Sequence, residues 1–186
     1  MRVAGSRRGT WMLLGLGVAL MFGAARPAAP EAPPQRRWAL AVPIVQQARE
    51  RCGQAALEMV LRYYGAQGAT LREADRAYDP ALRGSLITDL AAAARRAGFE
   101  AEIATLTPDS LVALIGAGVP PIVLYQGGRA PITTGHYGVI TAWDQGRSTF
   151  TLQDGAARPR TMRRADLAAR WKTAGSRALI VRRKAS

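Results

Sequence analysis

Cysteine and histidine are almost missing from this chain, which has one of each among 186 residues. A single cysteine cannot form an internal disulfide, and it excludes a zinc site built from several cysteines. The two residues are Cys52 and His136. Any chemistry that pairs a thiol with an imidazole must therefore use these two side chains, and we predict no metal ion and no organic cofactor.

Acidic residues are also few, with 13 Asp and Glu against 26 Lys and Arg, so the formal net charge is +13. The arginines are spread in ones and twos, without a dense basic block or interleaved aromatic residues. This distribution argues against a nucleic-acid partner. We interpret it as a solvated basic surface, which could meet anionic lipid headgroups or cell-wall polymers.

Long apolar runs are scarce as well. The run at 11–22 follows arginines and precedes small residues, which is the pattern of a secretory signal over 1–25. It is shorter than the roughly 20 residues of a membrane span, and an uncleaved anchor is the alternative. Residues 26–37 are rich in Pro and Ala and predict an extended spacer. We expect one domain over 38–186, exported to the periplasm or anchored facing it, with a membrane partner only if the signal is uncleaved.

Hydrophobic periodicity predicts mainly helices first and mainly strands later. Helices are expected at 52–64, 71–77, 85–97 with Ser85 as cap, from 107 onward, and 166–174. Strands are expected at 99–105, 121–125, 136–143, 147–154, 161–163 and 178–181. This order predicts an α+β domain whose helices pack against an antiparallel sheet.

Cys52 begins the first predicted helix, which Gly65 ends. Unpaired backbone N–H groups and the positive end of the helix dipole favour a thiolate at such a position. A lone cysteine at a helix start is nevertheless more often structural than reactive. The case for a nucleophile therefore depends on its partners.

The partner strand begins at His136, in HYGVITAW, and the next strand reads RSTFTLQD. A three-residue loop at 144–146 would give a hairpin in which Trp143 pairs with Arg147. In that register His136 lies directly opposite Asp154 on one face of the sheet. The same face then holds Gly138, Ile140, Ala142, Phe150 and Leu152, so the apolar pattern supports this register.

In this arrangement Asp154 would orient the imidazole and stabilise its charged form. The alternatives are that Asp154 is only a turn residue, or that Asp144 is the carboxylate, although Asp144 is expected in the hairpin loop. Acyl transfer also needs donors for the oxyanion. The backbone N–H of Cys52 is one, and the side-chain amide of Gln46 or Gln47 could be the other.

The segment VPIVQQARERCGQAALEMVLRYYG resembles the opening of the bacteriocin-processing cysteine peptidase family, a branch of the papain-like fold. That family has a Gln, a Cys-Gly six residues later, and a helix ending in Tyr-Tyr-Gly. GHYGVITAWD resembles its His strand and LQDG its Asp segment, and the similarity covers 40–183. The resemblance implies a papain-like fold and the following roles: Cys52 as nucleophile, His136 as general base, Asp154 as orienting residue, and Gln46 rather than Gln47 as oxyanion donor.

The chain departs from that family in two respects. Gln54 stands where Pro or a small residue is frequent, and the transporter domains of the best-known members are missing. Those members trim double-glycine leader peptides in the cytoplasm, whereas export is expected here. We therefore expect peptide hydrolysis rather than leader processing.

Three functions remain open at this point. The leading hypothesis is a cysteine peptidase that acts on a peptide or protein through an acyl-enzyme. The second is a cell-wall cysteine amidase or peptidase acting on peptidoglycan, although such enzymes often use a second His. The third is a non-catalytic peptide-binding module with the same fold.

Overall fold

The computed structural model describes residues 36–129 and 132–185. The expected signal and most of the expected spacer, over 1–35, lie outside the described residues. The first strand begins at Arg37, at the end of the expected spacer. Within the described part, no helix is both long enough and apolar enough to span a bilayer.

The described residues form helices and an antiparallel sheet. The helices are α1 (Cys52–Tyr63), α2 (Ala69–Arg72), a 3-10 helix (Glu73–Ala77), α3 (Ile87–Arg96), α4 (Pro108–Gly116) and α5 (Arg164–Lys172). The strands are β1 (Arg37–Ala39), β2 (Phe99–Thr105), β3 (Ile122–Arg129), β4 (Ile132–Asp144), β5 (Thr149–Gln153), β6 (Arg160–Arg163) and β7 (Arg177–Arg183). Among these residues the strand order is β2-β7-β3-β4-β5-β6, and β1 pairs with β4. The predicted α+β class is confirmed.

Helices pack on both faces of the sheet. Because alternate residues of a strand point to opposite faces, the same strands supply side chains to two separate cores. One core contains the buried side chains of α1 and α3 with Ile122, Tyr137 and Val139. The other core contains buried residues of α4 and α5. It also contains the strand residues that follow the first set in sequence, such as Val123 and Ile140. The sheet is therefore the middle layer, and the start of α1 meets it beside β4.

Helix α1 is almost wholly buried because the sequence gives it few polar residues. Eight of its twelve residues are buried. Glu58 and Arg62 lie on its outer side and form an i,i+4 ion pair. Gly65 follows the helix with φ +88°, a left-handed conformation that glycine adopts without strain. The predicted helix and its glycine stop are confirmed.

The predicted cap of α3 is wrong. The helix begins at Ile87, and Leu86 occupies the cap position without a side-chain hydrogen bond. The Ser85 hydroxyl instead accepts a hydrogen bond of 2.8 Å from the Gln54 amide. Because Gln54 is buried within α1, Ser85 satisfies a core polar group rather than the end of its own helix.

The predicted hairpin register is also wrong. Trp143 pairs with Phe150 and Asp144 with Thr149, so the turn has four residues, 145–148. Arg147 lies in this turn, where its backbone N–H donates to the Asp144 carboxylate at 3.0 Å. This hydrogen bond within the turn favours the four-residue turn over the three-residue loop.

A β-bulge at Thr141 changes the register once more. Beyond it Ile140 pairs with Leu152, and β5 ends before Asp154. The Thr141 carbonyl accepts from the backbone N–H of Leu40 at 2.8 Å, and its hydroxyl donates to β5, which together stabilise the extra residue. His136 therefore has no partner on β5, and Trp143 rather than Ala142 shares the face of Phe150.

Candidate active site

The start of α1 is held against β4 through one serine. The Gln54 amide donates to the Ser85 hydroxyl at 2.8 Å, and the Tyr137 hydroxyl donates to the Ser85 carbonyl at 3.1 Å. Gln54 is two residues after Cys52, and Tyr137 is the neighbour of His136. These bonds therefore bring the thiol and the imidazole to one cleft.

Cys52 and His136 face each other across this cleft, closely enough for each to shift the pKa of the other. Burial raises the pKa of the thiol, but the neighbouring His136 ring and the backbone N–H of Tyr137 outweigh it, so the pKa of Cys52 lies below its ordinary value. Burial lowers the pKa of His136, but its contact with Cys52 and the charge of Asp154 outweigh this, so that pKa is raised. Both shifts favour a thiolate–imidazolium pair.

The other side of the imidazole faces Asp154, mainly through the main chain. His136 Nε2 lies 3.0 Å from the Asp154 carbonyl oxygen and 3.8 Å from its carboxylate Oδ2. Since Nε2 is engaged there, Nδ1 is the ring nitrogen left for the thiol. Asp154 thus contacts His136 although the two residues are not paired as the sequence predicted, because Asp154 follows the end of β5.

The Asp154 carboxylate is held by groups that the sequence did not reveal. Its Oδ2 accepts from the Tyr125 hydroxyl at 3.2 Å and lies 3.3 Å from Arg160 Nε. The backbone N–H of Ala156 donates to Oδ1 at 3.3 Å. The Tyr125 ring also meets His136 edge-on, with centroids 5.7 Å apart. Burial and the Asp154 charge raise the pKa of Tyr125, so its hydroxyl stays a donor.

The missed residues carry little signal in the sequence. Tyr125 ends a predicted apolar strand and is indistinguishable there from a core aromatic residue. Arg160 is one of several arginines in ARPRTMRR. Only the turn after β5 brings this particular guanidinium to the carboxylate.

The two glutamines before α1 differ in their surroundings. Both are exposed, but the Gln47 backbone N–H donates to the Gly155 carbonyl at 3.0 Å, and its side chain lies over Gly155. Gln47 also lines a cavity beside His136. The identity of the oxyanion donor, Gln46 or Gln47, stays a prediction.

That cavity has a volume of about 250 Å³ and is lined by residues including Gln47, Gly127, Thr134, His136 and Arg160. Over residues 36–129 and 132–185, no three His, Cys, Asp or Glu side chains converge as metal ligands would. The cleft therefore offers a thiol, an imidazole and a carboxylate beside a polar cavity.

Comparisons with known proteins agree on one family. The model of the peptidase C39 family matches residues 41–186. No curated protein matches the sequence. Among solved structures, a C39-like peptidase from Bacillus anthracis has a TM-score of 0.64 at 17% identity, with 81% of this chain and 100% of that chain covered.

Two transporter peptidases have the same fold. The peptidase domain of Streptococcus ComA, a bifunctional ABC transporter of a quorum-sensing pathway, has a TM-score of 0.61 at 19% identity, covering 77% of this chain and 99% of that one. A double glycine motif protease from an AMS/PCAT transporter, in complex with its leader peptide, gives 0.61 at 20%, covering 79% and 95%. Because the family model spans most of the sequence and the fold agrees, this chain belongs to the peptidase C39 family and is a cysteine peptidase.

Proposed function

We propose that this enzyme cleaves peptide bonds outside the cytoplasm, with Cys52 as nucleophile, His136 as general base and acid, and Asp154 as the residue that orients the imidazole. The proximity of Cys52 and His136 carries the proposal, because it brings together the chain's only thiol and its only imidazole. The directions of both pKa shifts support it, since they favour the reactive ion pair.

The reaction begins when the Cys52 thiolate attacks the carbonyl carbon of the scissile bond. The imidazolium of His136 then gives its proton to the departing amine, and a thioester remains on Cys52. Neutral His136 next takes a proton from water, whose oxygen attacks the thioester and releases the acid. The thiolate and the imidazolium are thereby restored.

The developing oxyanion needs donors next to the thiol. The backbone N–H of Cys52 lies at the start of α1, where the helix has no side-chain cap. We assign the second donor to the side chain of Gln46, by the family resemblance and by its position six residues before the thiol. Gln46→Ala should lower kcat by about 100-fold, as loss of one such donor does elsewhere, and Gln47→Ala is the matched comparison.

A peptide is the proposed substrate, and the N-terminal sequence supports export. The AMS/PCAT relative was solved in complex with a leader peptide, so a protein of this fold binds a peptide. N-terminal sequencing of the protein purified from an envelope fraction tests export directly. An intact N-terminus recovered in the cytoplasm would exclude it.

The decisive experiment is digestion of a proteome-derived peptide mixture, followed by mass spectrometry. We expect new peptide ends with the wild-type chain and none with Cys52→Ala or His136→Ala, both folded by circular dichroism. Arg163→Gln, a surface change remote from the thiol, should cleave normally. Full activity of Cys52→Ala would exclude the mechanism. Release of soluble fragments from purified sacculi, without peptide cleavage, would favour a cell-wall enzyme instead.

A further inference from the structure

The position of the cavity beside His136 indicates which part of a bound substrate it would contact. It is lined by His136 and Asp154 but not by Cys52. In the proposed reaction the carbonyl carbon sits over the thiol, and the departing amine receives its proton from the imidazole. The part of the substrate that follows the scissile bond must therefore pass over His136, which places the cavity on the leaving-group side.

Two glycines, Gly127 and Gly128, line this cavity. A Cβ atom at Gly127 would stand 3.1 Å from the Cβ of His136. The Arg170 guanidinium donates to the carbonyls of Gln126 and Gly128, both at 3.2 Å, which holds this glycine segment in place. The cavity volume of about 250 Å³ suits a single side chain rather than a folded partner.

The charge presented in the cavity is positive. The ion pair between Arg160 and Asp154 is asymmetric, because the arginine side chain is 58% exposed and the aspartate side chain only 3%. The pair is formed through Arg160 Nε, so the donors on the two terminal nitrogens are not needed for this contact. Thr134, an exposed residue of β4, adds a hydroxyl to the lining of the same cavity.

We propose that this cavity recognises a carboxylate on the leaving segment of the substrate, with Arg160 as the specificity residue. The inference rests on the proposed peptidase function and adds a substrate class to it. An arginine fork binds a carboxylate with two parallel hydrogen bonds, and an exposed site of this kind favours the charged ligand modestly. The carboxylate comes either from an acidic side chain or from the free C-terminus of a short leaving fragment.

The test starts from the cleavage sites found in the proteome-derived peptide mixture. The best-cleaved peptide is synthesised with Glu or Gln at the first and second positions after the cut, and with its C-terminus free or amidated. The ratio of kcat/KM between charged and neutral peptides is measured for wild type, Arg160→Gln, Arg160→Lys and Arg163→Gln. Arg163 lies on the same strand, β6, but does not line the cavity, and its loss changes the net charge equally.

We expect a preference of about fivefold for the charged peptide, which Arg160→Gln abolishes and Arg163→Gln retains. Arg160→Lys should keep part of it, and higher ionic strength should reduce it. A Glu effect identifies the side-chain source, and an effect confined to the free acid identifies the C-terminal source. Cleavage without any charge preference, or a preference unchanged in Arg160→Gln, overturns this inference but leaves the peptidase function intact. Absence of all cleavage overturns both.

Discussion

Replacing Asp154 by Asn removes one negative charge beside the imidazole and changes little else in shape. His136 Nε2 lies 3.0 Å from the main-chain carbonyl of Asp154, which the variant retains, and 3.8 Å from the carboxylate, which it loses. The Asn side chain can still accept from the Tyr125 hydroxyl. We therefore expect the ring to keep its orientation and the imidazolium to lose electrostatic support.

The size of that loss follows from the distances. Two unit charges 3.8 Å apart interact by about 4 kcal/mol at an effective dielectric constant of about 20. Solvent screening makes this figure an upper bound, and Arg160, whose Nε lies 3.3 Å from the same carboxylate oxygen, keeps its positive charge in the variant. Loss of the Asp154 charge therefore lowers the pKa of His136.

The assay is the pH profile of kcat/KM with the best peptide from the mixture. The raised pKa of His136 keeps the ion pair intact on the alkaline side, so a lower pKa in the variant moves the alkaline limb of the profile to lower pH. At neutral pH the loss should be at least about tenfold smaller than that of His136→Ala, which should lose about 1000-fold or more.

Asp144→Asn is the matched control, since it removes the same charge from an aspartate in the hairpin of β4 and β5. Its profile should coincide with that of wild type. If folded Asp154→Asn were as inactive as His136→Ala, the carboxylate rather than the main-chain carbonyl would direct the imidazole, and the reasoning would be refuted.

Two further predictions concern the thiol and the turn beside it. Because the pKa of Cys52 is lowered, iodoacetamide at pH 6 should alkylate it about tenfold or more faster than a free cysteine peptide, and His136→Ala should remove the advantage. An equal rate in both proteins would contradict the ion pair. Gly155→Ala should lower the free energy of unfolding in urea by about 3 kcal/mol, because φ is +84° and the new Cβ would lie 2.7 Å from Gln47. Gly98→Ala, with φ +90° and open space, should cost only about 1 to 2 kcal/mol, and equal losses would show that the Gln47 contact is unimportant.

Local features of the sequence predicted the elements around the cleft well. The apolar run after Cys52 and its glycine stop predicted α1 almost to the residue, since a mostly buried helix needs apolar residues around most of its circumference. Thr107 and Pro108 predicted the start of α4, where the threonine indeed caps the helix. Ser85 failed as a cap because a distant buried amide, Gln54, competes for its hydroxyl.

The hairpin register shows where local pattern stops being sufficient. A bulge keeps the alternation of apolar residues on either side of it, so the sequence of β4 reads the same with or without one. The bulge at Thr141 depends on the carbonyl contact with Leu40, about a hundred residues earlier in the chain. No pattern within β4 or β5 contains that contact.

The sequence by itself determined which two side chains could perform the chemistry, because it contains a single thiol and a single imidazole, and it placed the thiol at the start of a buried helix. Only the tertiary structure decided what lies behind the imidazole: a main-chain carbonyl at hydrogen-bond distance, and a carboxylate turned toward Tyr125 and Arg160. The physical reason is that Asp154 lies in the turn after β5. The direction of its side chain is therefore set by Tyr125 on β3 and Arg160 on β6, rather than by the alternation of side chains along β5.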